Sequence, residues 1–181
     1  MKTIGRLITA LVLFSIPAFS QERDVTIFAG VQSPGKLTLS NAPSTGSTGA
    51  TQILSDPINA GTFGLRIGHG NVWGGEHTFA YNPNFLDSDS KAIVLSSNFR
   101  IQAPLPVVKP YATAGLGTII SWGSGVSDIG SKFAINYGGG IKVMPAGPVG
   151  INIGVRGYTV PRVQSQTLNI VEASVGIVIG F

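Results

Sequence analysis

The sequence contains no cysteine. Disulfide scaffolds and thiolate metal sites are therefore excluded. Charge is also sparse: Asp, Glu, Lys and Arg make up 11% of the chain, against about a quarter in ordinary soluble domains. A surface that faces water on all sides is hard to build from so few charges. Histidine occurs twice, as His69 and His77. Two imidazoles without a cysteine give too few ligands for a metal site, and no cofactor is implied. The basic residues are not clustered, so no nucleic-acid footprint is present. After residue 20 no apolar run approaches the roughly 20 residues that a membrane-spanning helix needs.

What is present begins at the N-terminus. Lys2 and Arg6 precede an apolar run from Leu7 to Ala18, and Ala18-Phe19-Ser20 sets small residues around a larger one. A positive segment, a short apolar segment and a small-residue cleavage site read as a signal peptide over residues 1–20. An uncleaved anchor is the competing reading. Cleavage would leave ten basic against eight acidic residues, a net charge of about +2. The expected mature domain, residues 21–181, is thus exported, apolar in character and without a spanning helix. In a bilayer every backbone polar group must be satisfied internally, which leaves a closed β-barrel as the structure available to it.

The closing segment carries that reading. From Val171 onward the chain alternates strictly: Val171, Ala173, Val175, Ile177, Ile179 and Phe181 fall on one face, and Glu172, Ser174, Gly176, Val178 and Gly180 on the other. A period of two means a strand with two unlike faces. Similar alternation recurs in seven upstream segments, near Val25–Gln32, Thr62–Gly68, Trp73–Tyr81, Ile93–Gln102, Val108–Ile120, Lys132–Val143 and Val149–Tyr158. Eight strands, each close to the length of a tilted membrane strand, predict an all-β fold: an eight-stranded antiparallel up-and-down transmembrane barrel.

The connections alternate as well. The second, fourth and sixth, at Gly68–Asn71, Ala103–Pro106 and Met144–Pro148, are short and built of turn formers. The odd ones are longer: Ser33–Pro57, rich in Ser, Thr and Gly, then Asn82–Ser90, Ser121–Ser131 and Thr159–Thr167. Short periplasmic turns and long surface loops are expected of a membrane barrel with both ends in the periplasm. Trp73, Tyr81, Phe99, Trp122, Phe133, Tyr137 and Phe181 are candidates for the two aromatic girdles. A soluble lipocalin-type barrel would need a large apolar interior, whereas the inner faces here are Gly, Asn, Arg and Lys.

The segments KPYATAGLG, FAINYGGGIKV, VGINIGVRGY and VEASVGIVIGF resemble the outer-membrane β-barrel superfamily, in its small eight-stranded OmpA/OmpX-type form. The resemblance covers essentially the whole mature chain and implies the cell outer membrane as its location. It implies two partners, outer-membrane lipid and the barrel-assembly machinery. The latter would read a C-terminal signal formed by Val175, Ile177, Ile179 and Phe181. The OmpA branch continues into a peptidoglycan-binding domain, whereas this chain stops at Phe181, so tethering to the cell wall is not implied.

The inner faces suggest the site. Glu76, Glu172, Arg66, Arg100, Arg156, Lys109, Lys132 and Lys142 all fall on them. An eight-stranded barrel is just wide enough for side chains to fill, and a buried charge must be paired. Glu76 and Glu172 are therefore expected to pair with Arg66, Arg100 or Arg156, either as a structural plug or as the switch of a narrow gated pore. The inner glycines Gly138, Gly140, Gly154, Gly176 and Gly180 are expected to make room for the large inward side chains.

No catalytic residue is assigned. His69 is expected to be solvated in a short turn, and His77 to face lipid. That outward His is similar to the placement in lipid A deacylase barrels, but their His–Ser motif is missing from the later strands. The expected function is accordingly that of a structural or surface-interaction protein. Its first connection, centred on Ser40–Thr51, would meet an extracellular ligand. A pore and a lipid A-modifying enzyme are the alternatives.

Overall fold

The computed structural model describes residues 22–35, 37–40, 51–54, 59–86, 88–123, 129–163 and 166–181. The expected signal peptide lies outside them, as do residues 41–50 of the first connection. Ten strands are described: β1 (Arg23–Pro34), β2 (Leu37–Ser40), β3 (Thr51–Leu54), β4 (Ala60–His69), β5 (Trp73–Pro83), β6 (Lys91–Gln102), β7 (Val108–Trp122), β8 (Ser131–Ala146), β9 (Val149–Val163) and β10 (Gln166–Gly180). Eight of them close into a barrel in the order β1-β10-β9-β8-β7-β6-β5-β4, and β2 pairs with β3 in a separate two-stranded sheet. All pairings are antiparallel. β1 seals the barrel by pairing with β10 through Val25↔Ile179 and with β4 through Val25↔Ile67.

The alternation in sequence becomes alternation in burial. Along β9, Val149, Ile151, Ile153 and Val155 are exposed while Gly150, Asn152, Gly154 and Arg156 are buried. Branched side chains suit a pleated outer wall that packs against hydrocarbon. The outward set on β10, including Val175, Ile177, Ile179 and the terminal Phe181, is likewise exposed. Leu168, Ile170 and Val178, the large apolar residues on the inner parity of that strand, are buried. At one end of the barrel the turns are short: β4 passes to β5 through residues 70–72, and β8 to β9 through Gly147 and Pro148. Gly70 and Gly147 take positive φ there, 93° and 72°, which glycine adopts without steric cost.

Three connections at the other end differ from expectation. The first contains the β2–β3 hairpin, paired from Leu37↔Leu54 to Ser40↔Thr51. The seventh is not a long loop: β9 and β10 continue pairing to Gln166↔Val163, leaving two residues between them. Val160, Val163, Leu168 and Ile170 are buried, so apolar contact across the interior prolongs both strands. The third connection folds inward. Asn84 adopts a φ of 60°, the amides of Phe85 and Leu86 bond to the Ser90 carbonyl and hydroxyl at 2.9 and 2.7 Å, and both side chains are buried.

The interior is therefore divided. Toward the loop end it is an apolar core that includes Val94, Ile119, Val160, Leu168, Phe85 and Ile129, the last two supplied by connections. Toward the short-turn end it is polar.

Candidate functional site in the barrel interior

Seven charged side chains, one from each of seven barrel strands, meet inside. Arg66, Glu76, Arg100, Lys142, Arg156 and Glu172 are each at most 2% exposed, and Asp24 is 6% exposed. They form three groups. In the first, Glu172 Oε1 accepts from Arg66 Nη2 at 2.5 Å. Its Oε2 accepts from Gln32 Nε2 and from the Tyr158 hydroxyl, both at 3.2 Å. Arg66 Nη2 also donates to Ser174 Oγ at 2.9 Å, and the guanidinium carbon stands 3.8 Å from the centre of the Phe28 ring. In the second group Arg156 Nη2 donates to Glu76 Oε1. The third lies beside the short turns: Asp24 accepts from Arg100 Nη1 on Oδ2 and from Lys142 Nζ on Oδ1, each at 2.7 Å.

Four buried cations thus face three buried carboxylates. The third group holds the surplus, because Asp24 serves two cations. Arg100 Nη2 finds a further acceptor in the Gly70 carbonyl at 3.2 Å. Lys142 Nζ lies 5.4 Å from the centre of the Tyr111 ring, within reach of a cation–π contact. The Tyr111 hydroxyl donates to Asn152 Oδ1 at 3.0 Å.

The expected pairing of Glu76 and Glu172 with arginines is present for Arg156 and Arg66. Arg100 departs from it: its partner is Asp24. Asp24 was legible by parity, since it shares a face with Thr26, Phe28 and Gln32, but it stands at the very start of β1, where alternation is hard to read. Lys109 and Lys132 do not join the buried set. Lys109 bonds to Glu22 at the short-turn mouth, on the wall of a cavity of about 430 Å³ that Met144 and Phe181 also line. Lys132 is partly exposed near the loop end of β8.

Glycine makes this packing feasible. A Cβ on Gly138 would stand 2.9 Å from Arg156 Cγ, and one on Gly140 or Gly154 would stand 2.9 Å from the Tyr111 hydroxyl. On Gly68 a Cβ would collide with the Arg100 guanidinium and Asp24. Arg100, Arg156 and Tyr111 are thus each faced by a position that has no side chain.

A second polar cluster lies on the outer wall. His77 Nδ1 is 2.8 Å from Ser97 Oγ, and the His69 ring stacks on His77 at 5.9 Å. His69 is the last residue of β4 and not a solvated turn residue. Among the described residues the pair lacks partners that a hydrolytic triad would use. His77 Nε2 has no hydrogen-bond partner among the described residues, so no carboxylate orients the ring, and the strands around Ser97 are paired on both sides, which occupies the amides an oxyanion hole would require. Among the described residues no group of three His, Cys, Asp or Glu could hold a metal.

The fold is shared with solved outer-membrane proteins. Neisserial surface protein A (NspA) superposes with a TM-score of 0.65 at 14% identity, over 90% of this chain and 100% of that one. OprG from Pseudomonas aeruginosa gives 0.56 at 12% identity, over 90% and 96%. Ail from Yersinia pestis, in complex with the heparin analogue sucrose octasulfate, gives 0.50 at 16% identity, over 87% and 99%. Among curated proteins none matches the sequence. The family model of the outer membrane protein beta-barrel domain matches residues 7–181. A closed eight-stranded barrel, apolar outside and charged inside, together with that match, places the chain in this family of integral outer-membrane proteins.

Proposed function

We propose that this protein acts in the outer membrane as a structural and surface-interaction protein, through the connections at its loop end, and that its interior serves to hold the barrel closed. The observation that supports this most is the filling of the interior by two unlike materials in series. Ion pairs occupy the periplasmic part, and an apolar core capped by Phe85, Leu86 and Ile129 occupies the extracellular part. An ion crossing it would have to break buried salt bridges and then pass a dry constriction, both costly. The surface open to a partner is then the set of loops, with the first connection as its largest element. Its centre, Ser40–Thr51, lies mostly outside the described residues. Val175, Ile177, Ile179 and Phe181 would form the face that the assembly machinery recognises.

Planar-bilayer recording of the wild type and of Glu172→Gln tests the closed interior. The expected result is no unitary conductance in either protein; discrete conductance steps in the wild type would favour the narrow gated pore. The enzyme reading is checked separately: lipid A from cells carrying His77→Asn should have an acylation profile identical to that of the wild type by mass spectrometry.

A further inference from the structure

The lipid-facing wall is apolar along most of its length, and one departure from this is continuous. Arg23 on β1 is the register partner of His69 on β4. His69 stacks on His77 of β5, and His77 bonds to Ser97 of β6, its register partner. All four residues are on the outward parity of their strands, interrupting a wall of Ile67, Phe79 and Phe99, each at least half exposed. Polar and ionisable side chains facing hydrocarbon are costly and mark function.

Their depth is informative. Trp73 and Phe99 stack at 5.8 Å on the same wall and form the aromatic girdle of the periplasmic interface. Arg23 begins β1 at that rim. His77 is four residues beyond Trp73, which at about 3.3 Å per residue and a tilt of about 40° puts it roughly 10 Å deeper. The polar zone on each side of a bilayer is about 5–8 Å thick. The stripe therefore begins among headgroups and ends where the ester linkages give way to acyl chains.

The hydrogen-bonding capacity also points outward. Between them the His77 ring, when neutral, and the Ser97 hydroxyl carry two donor hydrogens, and their mutual bond uses one. If Ser97 donates to Nδ1, the hydrogen on Nε2 is left, but Nε2 is buried, without a partner among the described residues, and closed to lipid. If Nδ1 donates to Ser97, the hydroxyl hydrogen is left. The second tautomer, which leaves no unpaired hydrogen on the buried Nε2, frees the Ser97 hydroxyl to donate at ester depth.

We propose that Arg23, His69, His77 and Ser97 form a binding site for one anionic phospholipid of the periplasmic leaflet. Arg23 and His69 hold the phosphate, and the Ser97 hydroxyl, positioned by His77 Nδ1, donates to an ester carbonyl. The site goes beyond the surface role of the loops and is independent of it, since it lies on the other half of the barrel.

Native mass spectrometry of the intact folded barrel, equilibrated with equal amounts of phosphatidylglycerol and phosphatidylcholine, tests this. The wild type should retain phosphatidylglycerol in preference by about tenfold, the discrimination expected of charge-assisted hydrogen bonds. Arg23→Gln with His69→Leu should abolish the preference, while His77→Leu with Ser97→Ala should lower retention of both lipids. A heat-modifiable gel shift confirms that each variant is folded, and the wild-type preference stands as a measurement of its own if one is not. Equal retention of the two lipids by the wild type would overturn the proposal, as would a preference that survives both double substitutions. Release of lysolipid by the wild type but not by Ser97→Ala would also overturn it, by making the His–Ser pair hydrolytic.

Discussion

Arg66 and Glu172 stand 106 residues apart in the chain, yet Nη2 and Oε1 are 2.5 Å apart inside the barrel. The contact links β4 to β10, the two strands that flank β1 on either side. The salt bridge thus clasps the seam at which the first strand closes the sheet. Breaking one partner of a buried pair leaves the other uncompensated, at a cost of about 3–5 kcal/mol. Glu172→Gln should therefore lower stability by about that amount in reversible urea unfolding from detergent or bilayers. Arg66→Met combined with Glu172→Leu should recover most of the loss, because no charge is then stranded.

Asp24 carries a heavier duty than either glutamate, since two cations depend on it. Asp24→Asn is expected to destabilise the barrel at least as much as Glu172→Gln does. Lys142→Met should cost far less, because Asp24 keeps Arg100. Adding Lys142→Met to Asp24→Asn should restore part of the stability, a coupling that a double-mutant cycle in the same assay would read directly.

Gly154 and Tyr111 are matched in shape. Gly154→Ala brings a methyl group to 2.9 Å from the Tyr111 hydroxyl, and overpacking of this kind costs about 1–3 kcal/mol. Tyr111→Phe removes that oxygen at the loss of its bond to Asn152, about 1 kcal/mol. The two losses should be less than additive in unfolding free energy; strict additivity would mean that the hydroxyl does not limit the space at residue 154.

The outer wall should respond by depth. Val155 lies midway along the outward face of β9, whereas Val149 adjoins the Gly147-Pro148 turn. A lipid-facing Lys costs about 2–4 kcal/mol at the bilayer midplane and about 0–1 near its edges. Val155→Lys should therefore destabilise markedly more than Val149→Lys. Equal costs would mean that β9 does not cross the hydrocarbon where its register places it.

The eight strands were legible because each must satisfy two solvents at once, and a period of two is visible in one dimension. Glu172 between Val171 and Ala173, or Arg156 between Val155 and Gly157, declares its face without reference to any other strand. Most inward charges could therefore be named, and Glu76 and Glu172 matched to arginines, without deciding which arginine each meets. Parity says which way a side chain points but not how far along the barrel axis its partner stands. That distance depends on the stagger between strands, which is why parity leaves Arg100 as one of three candidate partners for the glutamates although it pairs with Asp24.

The connections were less legible for a related reason. Thr159–Thr167 and Asn82–Ser90 read as polar loops, but Val160, Val163, Phe85 and Leu86 are drawn into an apolar core that exists only once walls from seven strands surround it. The pairing of His77 with Ser97 was hidden too, because the two residues are neighbours across β5 and β6 and not along either. By itself the sequence determined the architecture, the two faces of every strand and the membrane destination, since each is a local response to solvent. Only the tertiary structure decided which charges meet, where the interior gathers an apolar core and where polar groups line up on the lipid face. Those relationships arise between strands, from the register that closing the barrel imposes.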